Sequence, residues 1–152
     1  MLKNYTSSVS AERSISFIES KLAHHGAKSI LKEYDANKQV SGVSFIIPVN
    51  GTDLPFKLPA RIAECEKILL GQLSSRSRPE TKKKISEQAA RTAWKIQADW
   101  IEAQMAMVEL AQVEITEVFL PYLFNFQTQK TAFQTFKEKG FKNLLPAGAK
   151  NE

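Results

Sequence analysis

The chain has very little of what most catalytic or metal chemistry needs. Its 152 residues include one cysteine and two histidines. Cys65 has no second cysteine to pair with, so no disulfide within the chain is available, and its place in the amphipathic run Ile62-Ala63-Glu64-Cys65-Glu66-Lys67-Ile68-Leu69-Leu70 reads as a small buried hydrophobe. His24 and His25 are adjacent, and neighbouring residues do not share a helix face. There is no H-x-x-x-H or C-x-x-C spacing, and the glycines at 26, 42 and 51 are isolated, which excludes a glycine-rich phosphate loop. No catalytic residue, metal ligand or cofactor is therefore expected. No apolar run approaches the ~20 residues that span a bilayer, and Met1-Leu2-Lys3-Asn4-Tyr5 has no signal-peptide hydrophobic region. A cytoplasmic, reducing setting without a membrane partner is the expectation.

What is present is a concentration of positive charge. Between Arg76 and Lys95, seven bases (Arg76, Arg78, Lys82, Lys83, Lys84, Arg91, Lys95) face two acids (Glu80, Glu87), and the resulting +5 is the whole formal charge of the chain. Clustered charge of one sign steers association with polyanions or acidic surfaces where scattered charge does not. Cations at a helix start oppose the macrodipole, typically by ~0.3–1 kcal/mol each, so the placement carries a cost. A solvated, solubilising face is the competing explanation of the same residues.

The composition, 43% hydrophobic and 24% charged, suits one folded domain over 1–152. Ser10 before Ala11-Glu12-Arg13, apolar positions at Ile15, Ile18 and Leu22, and Gly26 beyond predict a capped first helix. From Lys28 to Leu58 the period becomes two: Ile30, Leu31 and Tyr34, then Val43, Phe45 and Ile47, then Leu54, Phe56 and Leu58. Asp35-Ala36-Asn37-Lys38 and Asn50-Gly51 supply the turns, so the three strands form an antiparallel meander, with Pro48, Pro55 and Pro59 at strand ends or edges. A second helix runs from Pro59-Ala60-Arg61 to about Leu73, completing an α-β-β-β-α part over 10–73.

A helical part over 77–140 follows. Ser77 with Glu80 reads as a capping box around Pro79. Ile85, Ala89, Thr92, Ile96, Trp100, Ala103, Met107 and Leu110 then step by four and three as a coiled-coil-like seam, with a second stripe at Trp94, Ile101, Met105 and Val108. The C-terminal half of this long amphipathic helix should be buried on two sides and its N-terminal half exposed, with Lys84, Arg91 and Lys95 on one face. A short helix ending near Pro121-Tyr122 and another over 130–139, with Phe133 and Phe136 inward and Gly140 as its stop, precede a loose tail at 146–150. The fold class is thus α+β: a first helix, a three-stranded antiparallel sheet, and a helical C-terminal half with one long helix.

The carboxylate pairs Asp99/Glu102 and Glu114/Glu117 have acid–base spacing, but ordinary helix pairing, such as Lys95 with Asp99, explains them as well. Trp94 borders Arg91 and Lys95 and is a candidate for stacking bases. The wet face of the sheet, with Lys57 and also Lys28 and Lys32 around Tyr34, is a second candidate surface.

The run Arg91-Thr92-Ala93-Trp94-Lys95-Ile96-Gln97-Ala98-Asp99-Trp100-Ile101-Glu102-Ala103-Gln104, with Val118-Phe119-Leu120-Pro121-Tyr122, resembles a family of small uncharacterised phage and prophage proteins. That resemblance implies a bacterial host cytoplasm and a mobile element that handles its own DNA or blunts host defences; it carries no site. The order of residues 10–73 is also similar to that of double-stranded RNA-binding domains, although Leu58-Pro59-Ala60-Arg61-Ile62 lacks the lysine cluster which begins that family's second helix.

The resulting expectation is a non-enzymatic nucleic-acid-binding accessory protein of a phage or prophage. It would grip phosphates through Arg76, Arg78, Lys82, Lys83, Lys84, Arg91 and Lys95, with Trp94 and Lys57 in support and little sequence specificity, single-stranded DNA being slightly preferred. The alternative is a protein-interaction module, such as an inhibitor of a host defence complex, using the same bases on an acidic partner. The long seam also offers a homodimer interface.

Overall fold

The computed structural model describes residues 1–73 and 76–148. Helix α1 (Ala11–His24) starts where Ser10 accepts a hydrogen bond from the Arg13 backbone, and the chain leaves it through Gly26 at φ +108°. Strands β1 (Ser29–Tyr34), β2 (Val40–Val49) and β3 (Thr52–Pro59) form an antiparallel sheet in the order β1-β2-β3. Asn50 and Gly51, at φ 50° and 80°, make the tight β2–β3 turn that an Asn-Gly pair favours. At the other hairpin, the Asp35 carboxylate accepts from the backbone of Asn37 and Gln39. Pro55 lies on the edge strand β3, and Pro48 lies beyond Ile46, the last β2 residue that β1 reaches, so neither prolyl nitrogen breaks a ladder.

Helix α2 (Ile62–Gly71) and the 31-residue α3 (Pro79–Glu109) follow, then α4 (Ile115–Phe119), a 3₁₀ turn (Leu120–Tyr122), the short pair β4 (Phe124–Asn125) and β5 (Lys130–Thr131), α5 (Ala132–Glu138) and a last 3₁₀ turn at Lys142–Leu144. The expected α+β order is what the structure shows. The β4–β5 pair has no counterpart in the expectations, because two-residue strands carry no periodicity.

Both α1 and α3 pack on one face of the sheet. The main core joins Ile15, Ile18 and Leu22 of α1, Val43, Phe45, Ile47, Phe56 and Leu58 of the sheet, Trp94, Ala98, Ile101 and Met105 of α3, and Phe119. Phe119 is fully buried, 5.0 Å from the Phe45 ring and 5.8 Å from that of Phe56, and so attaches the C-terminal segment to the sheet. A smaller cluster of Cys65, Leu69, Ala89 and Ala93 joins α2 to α3. Burial pushes the Cys65 thiol pKa up, as a structural cysteine requires.

Several expectations are corrected. Helix α3 is preceded by Arg78 with no side-chain cap, so Ser77 and Glu80 form no capping box. Of the second stripe, Trp94, Ile101 and Met105 face the sheet, joined by Ala98, while Val108 is only partly buried against the core. The four-three seam is covered only in part, since Leu110 is 71% exposed and Ala103 is also exposed. Two apolar stripes on adjacent helix faces are equivalent in sequence, and the sheet selected the one carrying the larger buried side chains. The N-terminal half of α3 is not bare, because α2 covers Ala89 and Ala93. Phe133 is exposed, its ring 5.9 Å from that of Phe141. Gly140 does stop α5, at φ +61°. Ala149 and Lys150 of the tail and Ser74 and Ser75 of the basic loop lie outside the described residues. No helix among the described residues is long and apolar enough to cross a membrane.

Candidate functional site

The seven clustered bases do not form one uniform patch. Arg76, Arg78, Lys82, Lys83 and Lys84 are exposed, at the start of α3 and just before it. Arg78, Lys82, Lys83 and Lys84 make no ion pair among the described residues, nor do their neighbouring acids Glu80 and Glu87. Some cations elsewhere are compensated, Lys28 by Asp53, Lys32 by Glu19, Lys57 by Glu33 and Lys130 by Glu138, whereas Arg13, Lys21, Lys38, Lys67, Lys137, Lys139 and Lys142 make no ion pair among the described residues but are dispersed over the surface. The hydrogen bond that Lys32 donates to the Glu19 carboxylate holds the Lys32 pKa above its ordinary value. Lys95 also belongs to the compensated set. Its ammonium lies 2.8 Å from Asp99, which further accepts from the Asn4 amide at 2.8 Å and pairs with Lys3 at 3.1 Å. Partial burial works to raise the Asp99 pKa, but the hydrogen bonds from Lys95, Asn4 and Lys3 outweigh it and hold the carboxyl at about 2.

Arg91 is half-buried and held differently. Its Nε and Nη2 donate to the Gln88 amide oxygen at 3.1 and 2.6 Å, and no carboxylate pairs with it among the described residues. Gln88 is itself anchored, its Nε2 donating to the Ser7 carbonyl at 2.9 Å and to the Thr92 hydroxyl at 3.1 Å. The buried Thr92 hydroxyl donates in turn to the Asn4 carbonyl at 2.9 Å. The N-terminal segment thereby fixes a guanidinium whose remaining N–H groups, including both on Nη1, have no partner among the described residues. A charge held by a neutral amide, without a counter-ion, retains its full attraction for an anion.

Two grooves meet at Arg91. One, of about 660 Å³, lies between the N-terminal segment, the end of α2 and the start of α3, and is lined by Tyr5, Leu69, Gln72, Lys84, Gln88 and Arg91 among others. The other, of about 430 Å³, lies between the start of α1, the β1–β2 turn and α3; Tyr34, Lys38, Glu12, Glu87 and Arg91 are on its walls. Helical spacing aligns Lys84 with Arg91 and Lys95, as expected, although Lys95 is occupied by Asp99.

Trp94 takes no part in this surface. It is 1% exposed and donates its Nε1–H to the Val40 carbonyl at 3.2 Å, so it cannot stack a base. Lys57 faces the other side of the sheet, 2.9 Å from Glu33 and 4.9 Å above the Phe124 ring. Register separates the residues expected around it: Lys32 pairs with Val43 and so lies on the helix-covered side, whereas Lys57 pairs with Ser44 on the opposite one. Tyr34 lines the helix-side groove with Lys32. The exposed rings beside the cations are thus Tyr34 and Tyr5. Tyr34, expected beside Lys57 on the wet face, instead meets α3 through the fold, and Tyr5 was not among the expected site residues.

Of the carboxylate pairs with acid–base spacing, Asp99 is held in ion pairs with Lys95 and Lys3, and Glu114 and Glu117 form a reciprocal capping box at the start of α4. No group of three or more histidine, cysteine or carboxylate side chains among the described residues is placed to hold a metal ion. The seam proposed for dimerisation is engaged within the chain at Ala89, Thr92 and Trp100, the last against Phe119 and Tyr122. No protein-family model, curated protein or solved structure matches this chain.

Proposed function

We propose that this chain is a non-enzymatic nucleic-acid-binding protein that grips phosphates through Arg78, Lys82, Lys83, Lys84 and Arg91, with little sequence specificity. In the phage or prophage setting implied by the resemblance of its 91–104 segment, that is an accessory role. The supporting observation is the concentration of unpaired charge: among the described residues these five cations, all between Arg78 and Arg91, lack carboxylate partners, while Lys28, Lys32, Lys57 and Lys95 have them. Uncompensated lysines contribute phosphate neutralisation without reading bases, and Arg91 adds a fixed fork of donors. Lys95, Lys57 and Trp94 drop out of the contact set for the reasons given above.

Fluorescence anisotropy with labelled single-stranded and duplex oligonucleotides at low salt tests this reading. Binding in the micromolar range or tighter is expected for the wild-type chain, with a loss of at least about tenfold when Lys82, Lys83 and Lys84 are all replaced by Glu. Unchanged binding by that variant, or no binding by the folded wild type, refutes the reading and turns attention to an acidic protein partner.

A further inference from the structure

We infer that the 430 Å³ groove between α1, the β1–β2 turn and α3 seats one unstacked nucleobase of a single strand, packed against Tyr34, with the adjoining phosphate on Arg91. This inference rests on the phosphate-binding reading above and adds to it a site and a strand preference. The volume falls within the ~300–1,000 Å³ typical of small-ligand sites.

Tyr34 is 62% exposed at the end of β1, although it lies on the side of the sheet that the helices cover. A register shift sets it there: Glu33 pairs with Gly42 but Tyr34 with Val40, leaving Ser41 as an extra residue. Bulges of this kind re-aim the side chain beside them. The floor of the groove is apolar, from Ile15, Val40 and Trp94, and its walls bring both kinds of polar group. Lys38, at the tip of the turn, and Arg91 supply donors for phosphate. Glu12 and Glu87 supply acceptors, which suit the exocyclic amine of cytosine, adenine or guanine and find none on thymine. A base inside a duplex cannot enter, because its faces are stacked and its amine is paired, whereas single strands offer both.

The test compares wild type with Tyr34→Ala and Tyr34→Phe by anisotropy on oligo(dC), oligo(dT) and a duplex of equal length. Tyr34 is exposed on an edge strand, so both variants fold, which circular dichroism checks. Expected is a loss of at least about fivefold on oligo(dC) for Tyr34→Ala, none on the duplex, near-full retention by Tyr34→Phe, and tighter wild-type binding to oligo(dC) than to oligo(dT). Equal oligo(dC) affinity in wild type and Tyr34→Ala overturns the pocket, as does an equal loss on duplex or no preference for oligo(dC). If the Lys82, Lys83 and Lys84 charge reversal still weakens binding in that case, phosphate gripping stands without the pocket. If the wild type binds no oligonucleotide, both fail.

Discussion

Replacing Asp99 with Asn tests the tie between the N-terminal segment and α3. The carboxylate receives Lys95, Asn4 and Lys3, and its pKa is held at about 2 against an ordinary value of 3.8. At roughly 1.4 kcal/mol per unit, that depression corresponds to an upper bound of about 2.5 kcal/mol of stability at neutral pH. Because Lys3 is 64% exposed and the carboxylate itself 24%, screening reduces the figure to about 1–2 kcal/mol. The sign follows from the depressed folded-state value. The contribution is complete above the unfolded pKa and vanishes as pH falls from about 4 through about 2. Urea denaturation of wild type and Asp99→Asn across that range should show a destabilised variant at neutral pH, with the two curves converging near pH 2. A difference independent of pH, or no difference at neutral pH, would refute the ion-pair account.

Phe119→Ala should destabilise by about 3–5 kcal/mol, because a fully buried ring touching Phe45, Phe56 and Trp100 is removed; chemical denaturation measures it. Trp94→Phe should lower stability by about 1–2 kcal/mol through the lost bond to the Val40 carbonyl, yet leave oligonucleotide affinity unchanged in anisotropy; a selective loss of binding would return Trp94 to the interface.

The fold was legible where local chemistry decides the outcome. Ser10 as a cap, the Asp35 turn, the Asn50-Gly51 hairpin and the alternation of Val43, Phe45 and Ile47 each act over a few residues, and each formed as expected. Long-range choices were less legible. The two stripes of α3 are equally apolar, and only contact with the sheet buries Trp94 rather than Leu110. The basic cluster was visible as charge, and the pairing of Lys95 with Asp99 as helix spacing, whereas the anchoring of Gln88, which holds Arg91, depends on the N-terminal segment placed by tertiary structure. Arg91 and Lys95 lie one turn apart on the same face, yet Lys95 pairs with Asp99 while Arg91 donates to the neutral Gln88 amide. The groove beside Tyr34 is assembled from α1, the β1–β2 turn and α3, and no sequence window contains it.

The central claim, that the uncompensated bases of α3 neutralise phosphates, is tested most directly by the salt dependence of binding. The logarithm of the association constant for a duplex should fall linearly with the logarithm of salt concentration, by about 0.9 per phosphate neutralised. Charge reversal of Lys82, Lys83 and Lys84 should flatten that slope by roughly two to three. A wild-type slope near zero, or one that the three substitutions leave intact, would contradict it.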